Sequence, residues 1–400
     1  MEGSSTLCER EETCSVCLGR ELEEVISLPR FPFTGIYCSD QTKLPDPIYA
    51  GLDQALMRCP DCGHAQLKSV IHPELVYNNT YAHRGSMSPL SKQGNEFFAQ
   101  FLEKIFSKKI FRRIVDIGCN DGFLLKQLEE KGQKLFGIDP IWAGKDHSIS
   151  PKISIVGGFV EKVDLRGILN EEDCLVVSAH TFEHIAHPRE VLETLLRNAR
   201  PNTVFVIEVP CFDTLVYTRR FDQIFHQHLQ YFSQASLLRL VEELGCSYIA
   251  HTFNRSLWGG TLLFAFTNSP KINPAKEFSK IHQNEIKNNY SQFRHSLEIL
   301  AQAIAEKPNE PFYGFGAAQM VPSLVYHVPG QLREIGQILD DSVERQGLSY
   351  PYLPFKIVSP NRVDVKEANV VITALDSARP ILERLIKLRP KHIFIPLQII

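Results

Sequence analysis

No long basic run occurs anywhere in the 400 residues, and the formal net charge is −3. A general grip on nucleic acid needs a concentrated positive face, so that class of partner is excluded. No apolar stretch is long enough to span a bilayer. The opening residues, Met1 to Cys14, are polar and acidic with no signal-peptide core. Both absences predict a cytoplasmic protein with no membrane partner, and a monomer is expected. Ten cysteines are too few and too unevenly spaced for a secreted disulfide framework. Cys8, Cys38, Cys119, Cys174, Cys211 and Cys246 stand alone and read as small buried hydrophobes. There is no internal repeat and no low-complexity segment.

What is present is the composition of a folded protein, 44% hydrophobic and 22% charged. The length suggests two large domains and a small one. Residues 8–72 are short extended runs broken by Pro and Gly, too few for a large core. From about 88 to 270 strands and helices alternate. Strands are expected at 113–117, 134–138, 153–157, 174–179, 203–208 and 261–267, with helices at 122–131, 188–199 and 234–244, a parallel doubly wound sheet. A polar helix over 275–306 carries one apolar stripe, Phe278, Ile281, Ile286, Phe293, Leu297, Leu300 and Ile304, and serves as a connector over 271–307. A second alternating block fills 308–400, with strands at 311–315, 335–339, 369–374 and 391–396 and helices near 318–326 and 379–387.

The remaining four cysteines form two CxxC pairs, Cys14–Cys17 and Cys59–Cys62, separated by 41 residues. Each pair offers two thiolates from one tight turn, and two turns complete a closed tetrahedral shell. The expectation is structural zinc, supplying binding energy that a thin core cannot. Iron in the same geometry, or two unrelated pairs, are the alternatives.

Ile114 to Gly122 (IVDIGCNDG) is an apolar strand running into a glycine-bearing turn that opens a helix. Glycines there let the backbone approach a ligand closely. The next strand ends at Asp139, 21 positions after Gly118, where a carboxylate can accept from both hydroxyls of a ribose. A dinucleotide fold usually reads GxGxxG; here Asp116 precedes the first glycine. An acidic group suits the cationic end of S-adenosylmethionine better than an anionic pyrophosphate. Asp116, Gly118, Cys119, Asn120, Gly122 and Asp139 are the expected cofactor residues. A dinucleotide, or an unliganded α/β domain, remains open on spacing alone.

Two histidine-bearing segments follow. His180-Thr-Phe-Glu-His184-Ile-Ala-His187 lies at the carboxyl end of a central strand, where open α/β sheets place ligands. Phe221 to Ser233 (FDQIFHQHLQYFS) follows the strand ending Glu208-Val-Pro210. With its paired cysteines, Trp258-Gly-Gly-Thr261 and a C-terminal Phe315-Gly-Ala-Ala318, the chain resembles the three-domain C-methyltransferases of nucleotide-linked keto-deoxysugars. The resemblance covers nearly the whole length and implies a small zinc-binding domain, a class I S-adenosylmethionine-dependent methyltransferase domain with a Rossmann-like sheet, and a C-terminal Rossmann-like domain. It also implies carbon alkylation, in which a carbon next to a ketone is deprotonated and the enolate attacks the sulfonium methyl. The family's base maps onto His228, its Asn-Val-x-x-His histidine onto His184, and a tyrosine after the zinc module onto Tyr81; His226 joins Tyr81 and His184 as a candidate donor to the enolate. This chain departs from the family at Gln227 (glutamate there), Phe225 (tyrosine), His83 (tyrosine), Trp258 (histidine) and Leu263 (arginine). Without a carboxylate at Gln227, His228 is expected to be less basic. The runner-up is methylation of oxygen or nitrogen on another small metabolite, and a non-catalytic sugar-nucleotide binder is a third class. In the C-terminal block Gly314-Phe-Gly316 and Asp340 give a second nucleotide-type turn. The resemblance has it help enclose the sugar nucleotide; NAD and mere packing are rivals.

Overall fold

The computed structural model describes residues 8–71, 89–145, 147–270 and 277–397. The N-terminal segment supplies β1 (Cys8–Arg10), β2 (Glu23–Phe31), β3 (Leu52–Arg58), β4 (Ala65–Leu67) and β5 (Ser69–Ile71). The central segment supplies β6 (Phe111–Ile117), β7 (Gly132–Asp139), β8 (His147–Ser150), β9 (Ile153–Gly157), β10 (Cys174–Ala179), β11 (Val204–Pro210), β12 (Gln230–Tyr231), β13 (Ser247–Asn254) and β14 (Thr261–Thr267). The C-terminal segment supplies β15 (Phe312–Phe315), β16 (Ile335–Leu339), β17 (Lys356–Val358), β18 (Asn369–Ile372) and β19 (His392–Phe394).

The central sheet runs β13-β14-β11-β10-β6-β7-β9-β8. Strands β9, β7, β6, β10 and β11 are parallel, as the continuous apolar runs predict, because both faces are covered. The sheet is mixed rather than wholly parallel. β14 pairs antiparallel with β11 and with β13, and β8 returns antiparallel on β9. β13 escapes sequence reading because its middle residues are only half-buried and carry no apolar run. The strand order reverses between β6 and β10, so the crevice beyond their carboxyl ends is where such sheets bind ligands.

Helix boundaries moved where turn chemistry overrides pattern. The helix expected over 122–131 runs only from Phe123 to Gln127, and a 3-10 turn, Glu129–Lys131, follows. The connector helix spans Gln283–Ala305, so Phe278 and Ile281 precede it. Its apolar stripe from Ile286 to Ile304 is buried in one cluster with Val25, Leu28 and Phe31 of β2, Phe221, and Leu324 and Val325 of helix Val321–His327. At about 25 cal/mol per Å² of apolar surface, five such side chains contribute on the order of 10 kcal/mol before entropy is counted.

The C-terminal sheet, β17-β16-β15-β18-β19, is parallel throughout. The N-terminal sheet is antiparallel, β12-β4-β3-β2, and its first strand comes from the histidine segment, 163 residues or more beyond the other three. Among the described residues no helix is long and apolar enough to cross a membrane.

Candidate active site

The cofactor turn is built by backbone geometry. Gly118 and Gly122 adopt φ of +76° and +74°, a region that L side chains avoid. A Cβ on Gly118 would lie 2.0 Å from Thr181 Oγ1, so no larger residue fits between the turn and the end of β10. Asp139 organises the turn: its Oδ2 accepts from the Asn120 N–H at 2.8 Å and its Oδ1 from the Ile141 N–H at 2.9 Å. The Trp142 indole N–H donates to the Asn120 carbonyl at 2.8 Å and completes the ring of contacts.

Asp116 is 2% exposed, and its Oδ1 has no hydrogen-bond partner among the described residues. Burial, with the charge of Asp139 added, pushes its carboxyl up to about 8. An orphaned buried carboxyl oxygen beside a glycine turn fits a cationic ligand, as the ammonium and sulfonium of S-adenosylmethionine would be. Cys119 lies in the turn through its backbone alone. Its thiol is turned into the core, where a Cβ on Gly137 would lie 2.5 Å from its Sγ.

Beyond the turn, the end of β10 and the 3-10 turn Phe182–His184 meet the segment after Phe221–Gln223. The rings of His184 and His228 lie edge to face with centroids 4.9 Å apart. His184 Nδ1 is 2.8 Å from the Gln227 carbonyl, which fixes its tautomer with a proton on Nδ1. The His228 ring packs tilted against Phe225, with centroids 3.9 Å apart. Burial, reinforced by His184 and His180, holds its pKa well below 6.5, so it is neutral near neutral pH.

Two other expected residues sit elsewhere. His226 is packed between Phe31 and Phe33, with ring centroids 5.3 and 4.8 Å away, and its Nε2–H donates to the Phe31 carbonyl at 3.0 Å. Burial pushes it down to about 4, so it is a neutral packing residue facing the N-terminal sheet. The Gln227 side chain turns to Thr34, accepting from its hydroxyl at 2.9 Å and donating to its carbonyl at 2.9 Å. Its amide secures the N-terminal module, and only its backbone reaches the histidine pair. Tyr81 and His83 lie outside the described residues.

Sequence reasoning singled out His180 but gave no role to the two glutamates that flank it behind the pair. Glu183 and Glu208 are 0% and 1% exposed, and His180 lies between them, 3.2 Å from Glu183 Oε1 through Nδ1 and 3.8 Å from Glu208 Oε1 through Nε2. Burial would lower the His180 pKa, but the hydrogen bond to Glu183 and the charge of Glu208 outweigh it and raise it. Trp258 meets the His180 ring edge-on at 4.5 Å. The signal was available as acidic residues at the ends of two adjacent central strands.

The cysteine pairs converge. Their Sγ atoms all lie within 4.8 Å of one another, with Cys14–Cys62 and Cys17–Cys59 both at 3.5 Å. Each pair sits in a tight turn, closed by the Cys14 N–H on Gly19 and the Cys59 N–H on His64. Sulfurs around one tetrahedral cation at 2.3 Å would stand about 3.8 Å apart, so the donor set fits a soft divalent metal. The module docks through Gln230, whose Oε1 accepts from Ser15 Oγ at 2.7 Å and lies 2.9 Å from His64 Nε2.

Residues 90–251 match a family described as "Methyltransferase domain". The C-methyltransferase NovU of Streptomyces niveus is 25% identical over 261 residues, 63% of this chain and 60% of that protein's length. Among solved structures, the chain overlaps N-methyltransferase NodS from Bradyrhizobium japonicum WM9, in complex with S-adenosyl-l-homocysteine, at 15% identity, covering 47% of this chain and 89% of that one with a TM-score of 0.34. Magnesium protoporphyrin IX methyltransferase ChlM from Synechocystis PCC 6803 overlaps at 12% identity, over 45% and 84%, with a TM-score of 0.35. By its strand order, its glycine turn and the family match, the central part of this chain is a class I, S-adenosylmethionine-dependent methyltransferase domain.

Proposed function

We propose that the protein is a C-methyltransferase acting on a nucleotide-linked keto-sugar, with His228 as the base. The observation that carries this reading is the histidine pair at the carboxyl end of β10, one histidine neutral and the other tied to a carbonyl, beside the cofactor turn. NovU, named as a C-methyltransferase, supports it. When bound, S-adenosylmethionine supplies an electrophilic methyl group on sulfur. Asp116 would face its positive charge, and Asp139 would accept from the ribose hydroxyls. Neutral His228 removes a proton from the carbon beside the ketone, and His184 donates to the oxygen that becomes an enolate. Acid–base assistance of this kind is worth about 10²–10⁴ in rate, and a preorganised donor at the oxygen a further comparable factor.

In the same reading, Cys14, Cys17, Cys59 and Cys62 hold one structural zinc, closed to substrate by its four sulfurs. The units are a zinc-binding domain over 8–72, the methyltransferase domain over 88–270, a connector over 271–307 and a Rossmann-like domain over 308–400 that covers the sugar nucleotide. His228→Ala should abolish methyl transfer while leaving cofactor binding intact, and the acid limb of the wild-type rate should fall below pH 6.5 because His228 stays neutral there. Full transfer by His228→Ala, or a co-purified acceptor without a carbonyl, would favour oxygen or nitrogen methylation instead. The buried carboxylates Glu183 and Glu208 keep that second reading in view, since they too bring acid–base groups to the strand ends.

A further inference from the structure

An ion cage closes the end of β10. His180 is the first residue past that strand and has a left-handed backbone, φ 54°. Its N–H donates to the Glu208 carbonyl at 3.0 Å. A non-glycine residue at such a φ persists only where its surroundings enforce it. Here the ring supplies the enforcement. Its Nδ1 is 3.2 Å from Glu183 Oε1, and its Nε2 is 3.8 Å from Glu208 Oε1. A neutral imidazole keeps one lone pair, which would have to face one of these carboxylates, whereas an imidazolium offers an N–H to each. The energetics agree: against burial, the Glu183 hydrogen bond and the Glu208 charge raise the His180 pKa.

The walls of the cage are themselves fixed. Glu183 is 0% exposed, and its backbone carbonyl accepts from the Leu229 N–H at 2.8 Å. Glu208 is 1% exposed, and its Oε1 accepts from Thr261 Oγ1 at 2.7 Å. Burial raises the Glu208 carboxyl, and the His180 charge and the Thr261 hydroxyl act against that rise. Trp258 forms the third wall, its ring 4.5 Å from that of His180 and tilted by 70°. It too is left-handed, φ 49°, and a Cβ on Gly94, inside helix Pro89–Phe106, would lie 2.5 Å from its Cη2. Glycine is a poor helix former, and here it makes room for the indole. The residue after His180 is Thr181, whose Oγ1 would stand 2.0 Å from a Cβ on Gly118. The conformation of His180 therefore sets the wall on which the cofactor turn packs.

We propose that His180 is a positioning residue for cofactor binding: as an imidazolium held between Glu183 and Glu208, it fixes the end of β10 and keeps Thr181 packed on the Gly118 turn. The role is the same whether carbon, oxygen or nitrogen is methylated. Among the described residues, the titratable groups facing His180 are Glu183 from its own turn and Glu208 from β11, with His184 and His228 beyond Glu183.

The test uses full-length protein with its metal in place and S-adenosylhomocysteine as the probe. Removing a positive charge beside a ligand that carries an ammonium would by itself tighten binding. The cage requires the opposite. Once the clamp is gone, the residue relaxes, and binding must restore the left-handed turn. His180→Gln should therefore weaken the probe by about tenfold in calorimetry at neutral pH, the scale of one strained backbone residue. In nitrogen-15 NMR the wild-type His180 ring should titrate above 6.5. Glu208→Gln, which keeps the side-chain size and an oxygen for Thr261, should lower that midpoint by about one pH unit or more. Packing alone would not move it. Unchanged or tighter binding by His180→Gln overturns the proposal, as does a wild-type midpoint at or below 6.5. Where His180→Gln does not fold, an unshifted midpoint in Glu208→Gln overturns it instead.

Discussion

Asp116 illustrates how a single buried group ties binding to pH. In the ligand-free protein its carboxyl is raised to about 8 by burial and by Asp139, so it is mostly protonated at pH 7. A cation bound alongside favours the carboxylate, so binding must release a proton. Affinity for S-adenosylmethionine should therefore rise with pH up to about 8 and level off above it. Calorimetry in buffers of different ionisation enthalpy should show that proton, and Asp116→Asn should remove it; equal apparent enthalpies in the wild type would refute the assignment. Residues also mark where sequence reading runs out. The glycine turn was legible because φ beyond +70° restricts the residue type to glycine at Gly118 and Gly122. The direction of the Gln227 side chain was not, because only the fold brings Thr34 next to it, 193 positions away in sequence.

At the scale of elements, β12 and the two cysteine turns form one mechanical unit. The strands that alternate with helices were readable because burial on both faces leaves apolar runs, as in β6, β10 and β11. β12 was not, since two residues carry no period and its pairing with β4 depends on the N-terminal sheet already existing. The consequence is that metal loss should reach further than the cysteine module. Chelation, or Cys59→Ser, should lower the melting temperature and free the Gln230 contacts to Ser15 and His64, disturbing the histidine segment while the glycine turn, held by Asp139, keeps its cofactor. Hydrogen exchange would check this: faster exchange confined to 8–71, with 221–233 unchanged, would show the two to be independent.

Across the whole molecule, the three larger sheets meet at the histidine segment. Arg220 is 3% exposed; it donates two hydrogen bonds to Asp222 and reaches Asp376, just beyond β18, at 2.8 Å. The loop 33–38 closes the other side: the Tyr37 hydroxyl donates to the Ala317 carbonyl at 2.9 Å, and the Tyr352 hydroxyl donates to the Phe33 carbonyl. Asp376→Ala removes one charge-assisted partner but leaves Asp222, so the cost should be about 1.5–3 kcal/mol, short of that for stranding a buried charge. Chemical denaturation should place it in that range, and a loss under about 0.5 kcal/mol, the size of an ordinary surface change, would mean that the Arg220–Asp376 pair does not help to hold the C-terminal sheet.

The borrowed strand also sets an order of events at the ribosome. Gln230 meets His64 across 166 residues of chain, so the N-terminal sheet emerges long before its last strand exists. Local contacts form early and distant pairings late. The first module therefore waits with an open edge at β4 until the methyltransferase domain has been synthesised. Expressed alone, residues 8–71 would carry that edge permanently, and aggregation rather than a soluble metal-binding fragment is the outcome their geometry favours.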